Sequence, residues 1–445
     1  MRISCYESLY QKGRDKKMEK WFEEAKLGIF IHYGIYAVEG VSESWSFYHH
    51  RVPYDQYMKQ LDGFTAAQFD ADHWADVIEK SGAKYAVLTT KHHDGVALFD
   101  TQYSDLNVVK RTPAKRDIIK EYAEAIKNKG IRCGMYYSLI DWSHPDYASV
   151  FEGGVVPEDL SEVNGYSYPA DGKQDEEAWE RFLTFNRNQL KEVLSNYGTV
   201  DVLWFDGDWE RSAKQWGLPA FKDYLQSFNP NLIINSRLQG HGDYKTPEQG
   251  LPITRPEGPW EFCTTVNDSW GYIPEDQHYK SLKQIIRMFC DCISMGGNML
   301  LDIGPKEDGT IVPEEEELLL DLGKWIKQHE EAIYATKEGL MLRYYLGGST
   351  LSKDEETIYL FVYDDPKEAI CLKGLCNQVK KISVLHSGEI LTYDSHGGVP
   401  WFNIPGTLWI HLTGKACHEH VTVVKVECEG KVDMYGGSGA VVTHN

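Results

Sequence analysis

The period of the apolar residues divides the chain in two. Through the first three quarters, short apolar runs alternate with longer stretches in which apolar residues recur with a helical period. The runs 84–90 (KYAVLTT), 132–138 (RCGMYYS), 200–205 (VDVLWF), 232–235 (LIIN) and 298–303 (NMLLDI) predict strands buried on both faces. Segments 73–81, 116–129, 176–197, 214–227, 281–294 and 314–329 predict amphipathic helices between them. This alternation builds βα units on a parallel sheet. Periodicity alone does not separate a closed barrel from an open doubly wound sheet. Two features favour a TIM-like (β/α)8 barrel: residues capable of chemistry follow several different strands, and no glycine-rich dinucleotide loop follows the first one.

After about Thr336 the period shortens to that of strands, at 357–362, 379–384, 408–412 and 421–426, separated by Gly, Asp and Pro turns. The expected organisation is a catalytic barrel over 1–336 followed by a C-terminal antiparallel β-sandwich over 337–445. The sandwich shows no tryptophan cluster and is expected to cover the barrel, with a loosely held tail from Gly436.

Composition narrows the partners. The chain has 445 residues, more than one ordinary core accommodates, and 42% of them are hydrophobic. Its 67 acidic residues against 46 basic ones give a formal charge of -21, with no basic cluster to follow a phosphate backbone. Nucleic acid and anionic membrane are thereby disfavoured. Segment 1–20 lacks the apolar core of a signal peptide, and no run approaches the roughly 18 apolar residues of a membrane span. The nine cysteines are odd in number and scattered, as expected of reduced thiols rather than a disulfide framework. A cytoplasmic location is the expectation.

The strongest chemical signal is VDVLWFDGDW, an apolar strand that ends in Asp206 beside Trp204 and Trp209. Carboxylates perform glycosidic chemistry and tryptophan faces stack on pyranose rings. KHHD puts His92 and His93 after the strand 84–90, where neutral imidazoles suit sugar hydroxyls better than a shared metal, since neighbours on a strand point oppositely. GIFIHYGIY places His32 at the end of an apolar strand, with Glu43 and Trp45 following. The polar, aromatic region 237–272 holds Glu248, Glu257 and Glu261. A retaining glycosidase needs a second carboxyl about 5 to 5.5 Å from the first, and one of these three is the candidate.

GIFIHYGIY, KYAVLTTKHHDGVALFDT, VDVLWFDGDW and GGNMLLDIGPKEDGTI, in this order, resemble the α-L-fucosidases of glycoside hydrolase family 29. The resemblance implies an exo-acting retaining enzyme on fucosylated oligosaccharides or glycoconjugates, with no metal or organic cofactor. It makes Asp206 the nucleophile, sets His32, His92 and His93 on sugar hydroxyls, lines the pocket with Trp204, and brings Tyr137 and Arg237 close to the reacting centre. Trp45 resembles the family's aromatic near the sugar, although the family's Glu-Trp pair is here spread over Glu43-Ser44-Trp45. Two positions match acid/base sites of different members. Glu261 is favoured because it opens the strand-like EFCTTV, which holds a carboxylate rigidly, and Glu248 in YKTPEQ is the alternative. The loop 150–171 is expected to select the leaving group. An inactive sugar-binding barrel, and a metal-dependent hydrolase using His32, His92 and His93, are the competing readings.

Overall fold

In a computed structural model the structure describes residues 20–147, 175–412 and 416–439. The loop 150–171, Cys5 and the end of the glycine-rich tail lie outside the described residues.

Seven apolar runs form parallel strands: β1 (Leu27–Ile31), β2 (Tyr85–Lys91), β3 (Arg132–Ser138), β4 (Val202–Asp206), β5 (Ile233–Ile234), β6 (Glu261–Thr265) and β7 (Asn298–Ile303). Their order is β5-β4-β3-β2-β1-β7-β6, so β5 and β6 face each other across a gap. Segment 243–249 fills it. Parallel bridges join Asn235 to Tyr244 on one side, and Lys245 to Trp260 and Glu248 to Cys263 on the other. Backbone hydrogen bonds run from Asp243 N to Ile234 O (2.6 Å), Lys245 N to Pro259 O (3.0 Å) and Gln249 N to Cys263 O (2.9 Å). Pro247 has no N–H to give, which keeps this segment from running as a regular ladder. The sheet therefore closes with an irregular strand in the sixth position.

Helices Ala71–Lys80, Ile118–Asn128, Glu176–Asn196, Ala220–Gln226, Leu282–Ser294 and Pro313–His329 follow β1, β2, β3, β4, β6 and β7. No helix separates β5, the irregular strand and β6. Side chains of Asp70, Asp117, Asp175 and Ser281 accept from backbone N–H groups in the first turns of four helices, and Ser281 forms a capping box with Gln284. The helix expected from Lys214 starts instead at Ala220, because Pro219 fixes its own φ and disfavours helix at the residue before it.

Alternation along each strand sorts the core. Phe30, Tyr85, Val87, Tyr136, Val202, Trp204, Ile233, Tyr244, Cys263 and Leu300 point into the barrel, and Phe22 and Ala25 of the short helix Lys20–Ala25 pack beneath them. The Tyr85 ring takes the space a side chain at residue 28 would need: a Cβ on Gly28 would lie 2.4 Å from it. Leu27, Ile29, Ile31, Leu203 and Phe205 point outward against the helices.

Beyond the barrel, β8 (Lys337–Glu338), β9 (Ser349–Leu351), β10 (Thr357–Val362), β12 (Val379–Val384) and β15 (Thr422–Cys428) form one antiparallel sheet. β11 (Ile370–Lys373), β13 (Tyr393–His396) and β14 (Thr407–Ile410) form the other. The Trp325 indole of the last barrel helix donates to Val421 O (3.0 Å) and ties the two parts together. The sandwich surface does carry aromatics. Trp409 points outward between the inward Leu408 and Ile410, and a short turn leaves Trp401 78% exposed beside Phe402.

Candidate active site

Parallel strands gather their carboxyl ends at one face, and side chains placed there can converge. His32 follows β1, His92 and His93 follow β2, Asp206 ends β4, Arg237 follows β5, and Glu248 stands near the end of the irregular strand, opposite Cys263 of β6. A cavity of about 240 Å³ opens here, lined by Phe30, His32, Trp45, His92, Tyr136, Trp204, Asp206, Trp209, Arg237, Glu248 and Trp270.

In β4, Val202, Trp204 and Asp206 share the inward face, so the apolar run ends by presenting a carboxylate. Gly207 then turns at φ 81°, and a Cβ there would lie 2.5 Å from Ile140. Asp206 Oδ1 accepts from Arg237 Nη1 (2.7 Å) and Oδ2 from the Tyr136 hydroxyl (3.1 Å). The other terminal nitrogen of Arg237 donates to Glu248 Oε2. One guanidinium thus holds both carboxylates, and it rests over the Trp204 ring, 4.5 Å from its centre.

Each histidine is anchored through Nδ1. His93 Nδ1 lies 2.6 Å from Ser138 Oγ, and that hydroxyl donates to Ile140 O (2.5 Å). Ser138 has one proton to give, so its oxygen accepts from His93 Nδ1–H, and the bare Nε2 stands 3.6 Å from Asp206 Oδ2. His92 Nδ1 lies 2.5 Å from Ser44 Oγ, and His32 Nδ1 lies 2.6 Å from Asp302 Oδ1. Burial pushes all three imidazoles well below their usual range, which disfavours a charge on any of them standing alone. Their Nδ1 atoms are committed to three separate partners. The group of His, Cys, Asp and Glu side chains that converges closely enough for an ion, among the described residues, is instead Asp268, Asp276 and His278.

Two sequence expectations are corrected. Glu261 is the first residue of β6, hence at the amino ends of the strands, fully buried in the barrel interior. Its Oε2 accepts from Tyr85 OH (2.5 Å) and its Oε1 from the Trp204 indole (2.9 Å). It does not line the cavity, and it supports Trp204 from below. Tyr137 points out of the barrel, where its hydroxyl reaches Asn186 Oδ1 (2.8 Å) and Gln189 Oε1 (2.9 Å) of the helix Glu176–Asn196. Its neighbour Tyr136 is the tyrosine on Asp206, and alternation counted back from Ser138 would have found it. Glu43 is buried and accepts from Gly271 N (2.6 Å), fastening the loop that carries Trp270. Trp270 and Asp302 were also missed, although a lone carboxylate in NMLLDI, two residues after the inward Leu300, was a visible signal.

The α-L-fucosidase family model matches residues 2–331. Tissue α-L-fucosidase of Bos taurus is 32% identical over 349 residues, covering 72% of this chain and 70% of that protein. Plasma α-L-fucosidase of Homo sapiens is 33% identical over 355 residues, with coverage of 72% and 70%. Among solved structures, α-L-fucosidase isoenzyme 1 from Paenibacillus thiaminolyticus is 32% identical with a TM-score of 0.79, covering 92% of this chain and 98% of that one. A family 29 fucosidase from Bacteroides thetaiotaomicron, trapped as a covalent intermediate with 2-fluoro-fucosyl fluoride, is 29% identical with a TM-score of 0.79 over 92% and 96% of the chains. With this barrel, this ordered set of motifs and this match across most of its length, the chain belongs to the α-L-fucosidases of glycoside hydrolase family 29.

Proposed function

We propose that Asp206 is the nucleophile and Glu248 the acid/base with which this fucosidase removes a terminal α-L-fucose from a fucosylated glycan, with retention at C1. The observation that carries this reading is the Arg237 guanidinium, which holds both carboxylates at one cavity. Two carboxyls held by the two terminal nitrogens of one guanidinium are close neighbours, which suits a retaining mechanism, whose carboxyls stand about 5 to 5.5 Å apart.

In the first step protonated Glu248 gives its proton to the glycosidic oxygen as the C1–O bond breaks, and Asp206 forms the ester to C1. Having given up its proton, Glu248 stands as a carboxylate beside the ester, ready to act as base. In the second step Glu248 takes a proton from water, the water oxygen bonds C1, and Asp206 leaves as carboxylate. His32 and His92, which line the cavity, face the sugar hydroxyls, while the wholly buried His93 keeps Nε2 3.6 Å from Asp206 Oδ2. Phe30, Trp204 and Trp270 offer an apolar wall to the 6-methyl group.

A glycan rather than nucleic acid or membrane fits the charge of -21, and no helix among the described residues is long and apolar enough to cross a membrane. The eight described cysteines are free thiols, which supports a cytoplasmic place of work.

The test is chemical labelling. Incubation with 2-fluoro-fucosyl fluoride, followed by proteolysis and mass spectrometry, is expected to return the adduct on Asp206. An adduct on another carboxylate would overturn the assignment.

A further inference from the structure

We propose that Asp302 is a positioning residue that shares one proton with His32 and so presents His32 Nε2–H to the sugar pocket as a hydrogen-bond donor. This rests on the reading of the cavity as the fucose site, and it adds a direction to one of its contacts.

Asp302 lies on β7, the strand next to β1, and the His32 amide donates to Ile303 O (3.0 Å), which fixes the two side chains against each other. Oδ1 sits 2.6 Å from His32 Nδ1. The carboxyl is wholly shielded from solvent, and its second oxygen, Oδ2, has no hydrogen-bond partner. A bare carboxylate in that position would leave a charge in a dry site with one oxygen unsatisfied. The groups around it do not offset this. Burial pushes Asp302 well above the usual carboxylate range, and Glu315, Glu43 and Glu248 act in the same direction. Glu315, in the first turn of the helix after β7, accepts from Gly304 N, and Glu43 accepts from Gly271 N. On the other partner, burial lowers His32, His92 and Arg237 add to that, and Asp206 opposes them.

The pair is therefore neutral as a whole and holds one proton between Oδ1 and Nδ1. Two arrangements are possible, carboxylic acid with neutral imidazole or carboxylate with imidazolium. In both of them Nε2 carries a hydrogen. A neutral imidazole beside a lone carboxylate would instead leave Nε2 bare, and that arrangement is the charged one the site disfavours. His32 is thus a donor where His93, with Nδ1–H held by Ser138, is an acceptor. Of the two, His32 lines the cavity, so a sugar hydroxyl oxygen is received there.

Long-range 1H–15N spectra of the full chain labelled with 15N-histidine read this directly, with His32 assigned by the signals lost in His32→Gln. The expected result at pH 6.5 is a protonated Nε2 on His32, retained in Asp302→Asn, whose amide donates to Nδ1, and replaced by mixed tautomers in Asp302→Ala. A bare Nε2 in the wild type overturns the proposal, as does an Asp302→Ala spectrum unchanged at His32. The wild-type spectrum decides even where a variant fails to fold, and it needs no turnover, so loss of the fucosidase assignment would not be confused with loss of this one. With turnover on an aryl α-L-fucoside, kcat/KM is expected to fall about 10- to 100-fold in Asp302→Ala and to recover to within a few-fold in Asp302→Asn.

Discussion

Glu248 and Glu261 sit on neighbouring strands of one barrel and live in opposite chemical worlds. Glu248, near the carboxyl end, is 38% exposed, paired with a guanidinium that also holds Asp206, and open to the cavity. Glu261, at the amino end, is sealed among Tyr85, Trp204 and the rest of the barrel filling, and burial pushes its carboxyl up to about 7. A perturbed carboxyl is a common sign of an acid catalyst. Here the carboxyl that burial raises is one no substrate can reach. Strand direction, which decides what faces the cavity, outweighs proton affinity as a guide to function.

Substitutions at the three carboxylates and a change in the sugar test the contrast directly. Asp206→Ala should lower kcat on p-nitrophenyl α-L-fucoside by about ten-thousandfold, since removal of a nucleophile leaves only binding and electrostatics. Residual activity within tenfold of wild type would place the nucleophile elsewhere. Glu248→Ala should lose about 100- to 10,000-fold on natural glycosides, less on substrates with good leaving groups, and azide should restore turnover by replacing the water that Glu248 activates. Azide rescue of Glu261→Ala instead would reverse the comparison. An α-L-fucoside with a hydroxyl added at C6 should be turned over about 10 to 200 times more slowly, because the apolar wall offers that hydroxyl no partner. Equal rates would remove the wall from the account.

The smallest effect on activity belongs to Glu261→Gln, expected within a few-fold of wild type, with its consequence in stability. In the folded chain Glu261 keeps its proton to about pH 7, whereas the unfolded chain releases it near 4.3. The folded state therefore binds more protons across that window, and unfolding free energy falls as pH rises through it, by up to about 1.4 kcal/mol per unit. Glu43, also pushed up to about 7, behaves the same way, so the variant should show a shallower decline in Tm between pH 4.5 and 7 rather than none. An unchanged slope would mean that Glu261 is ionised in the fold.

Much of this was legible in the sequence because it depends on local pattern. The parallel strands, the helices and Asp206 at the end of VDVLWF follow from apolar runs and the residue that stops them. Tyr136 and Tyr137 are both aromatic neighbours at one strand end, and only the inward face shared with Gly134 and Ser138 tells them apart. Glu261 opens a strand with a readable apolar pattern, whereas the strand that carries Glu248 has none. That strand is broken by Pro247 and held by isolated bridges, so it leaves no period to read. The Asp302 contact joins residues far apart in the chain, and nothing short of the closed barrel brings them together.

The packing of Phe22 and Ala25 beneath the barrel filling has a kinetic corollary. The pocket is blind, so substrate and product share a single doorway. A glycan cannot thread through and be trimmed processively: each encounter removes one residue, the truncated acceptor departs first, water follows it in, and free fucose is last out. Fucose should for that reason compete with substrate for the resting enzyme, while the departing acceptor meets only the fucosyl-enzyme, which it intercepts by transglycosylation when it accumulates.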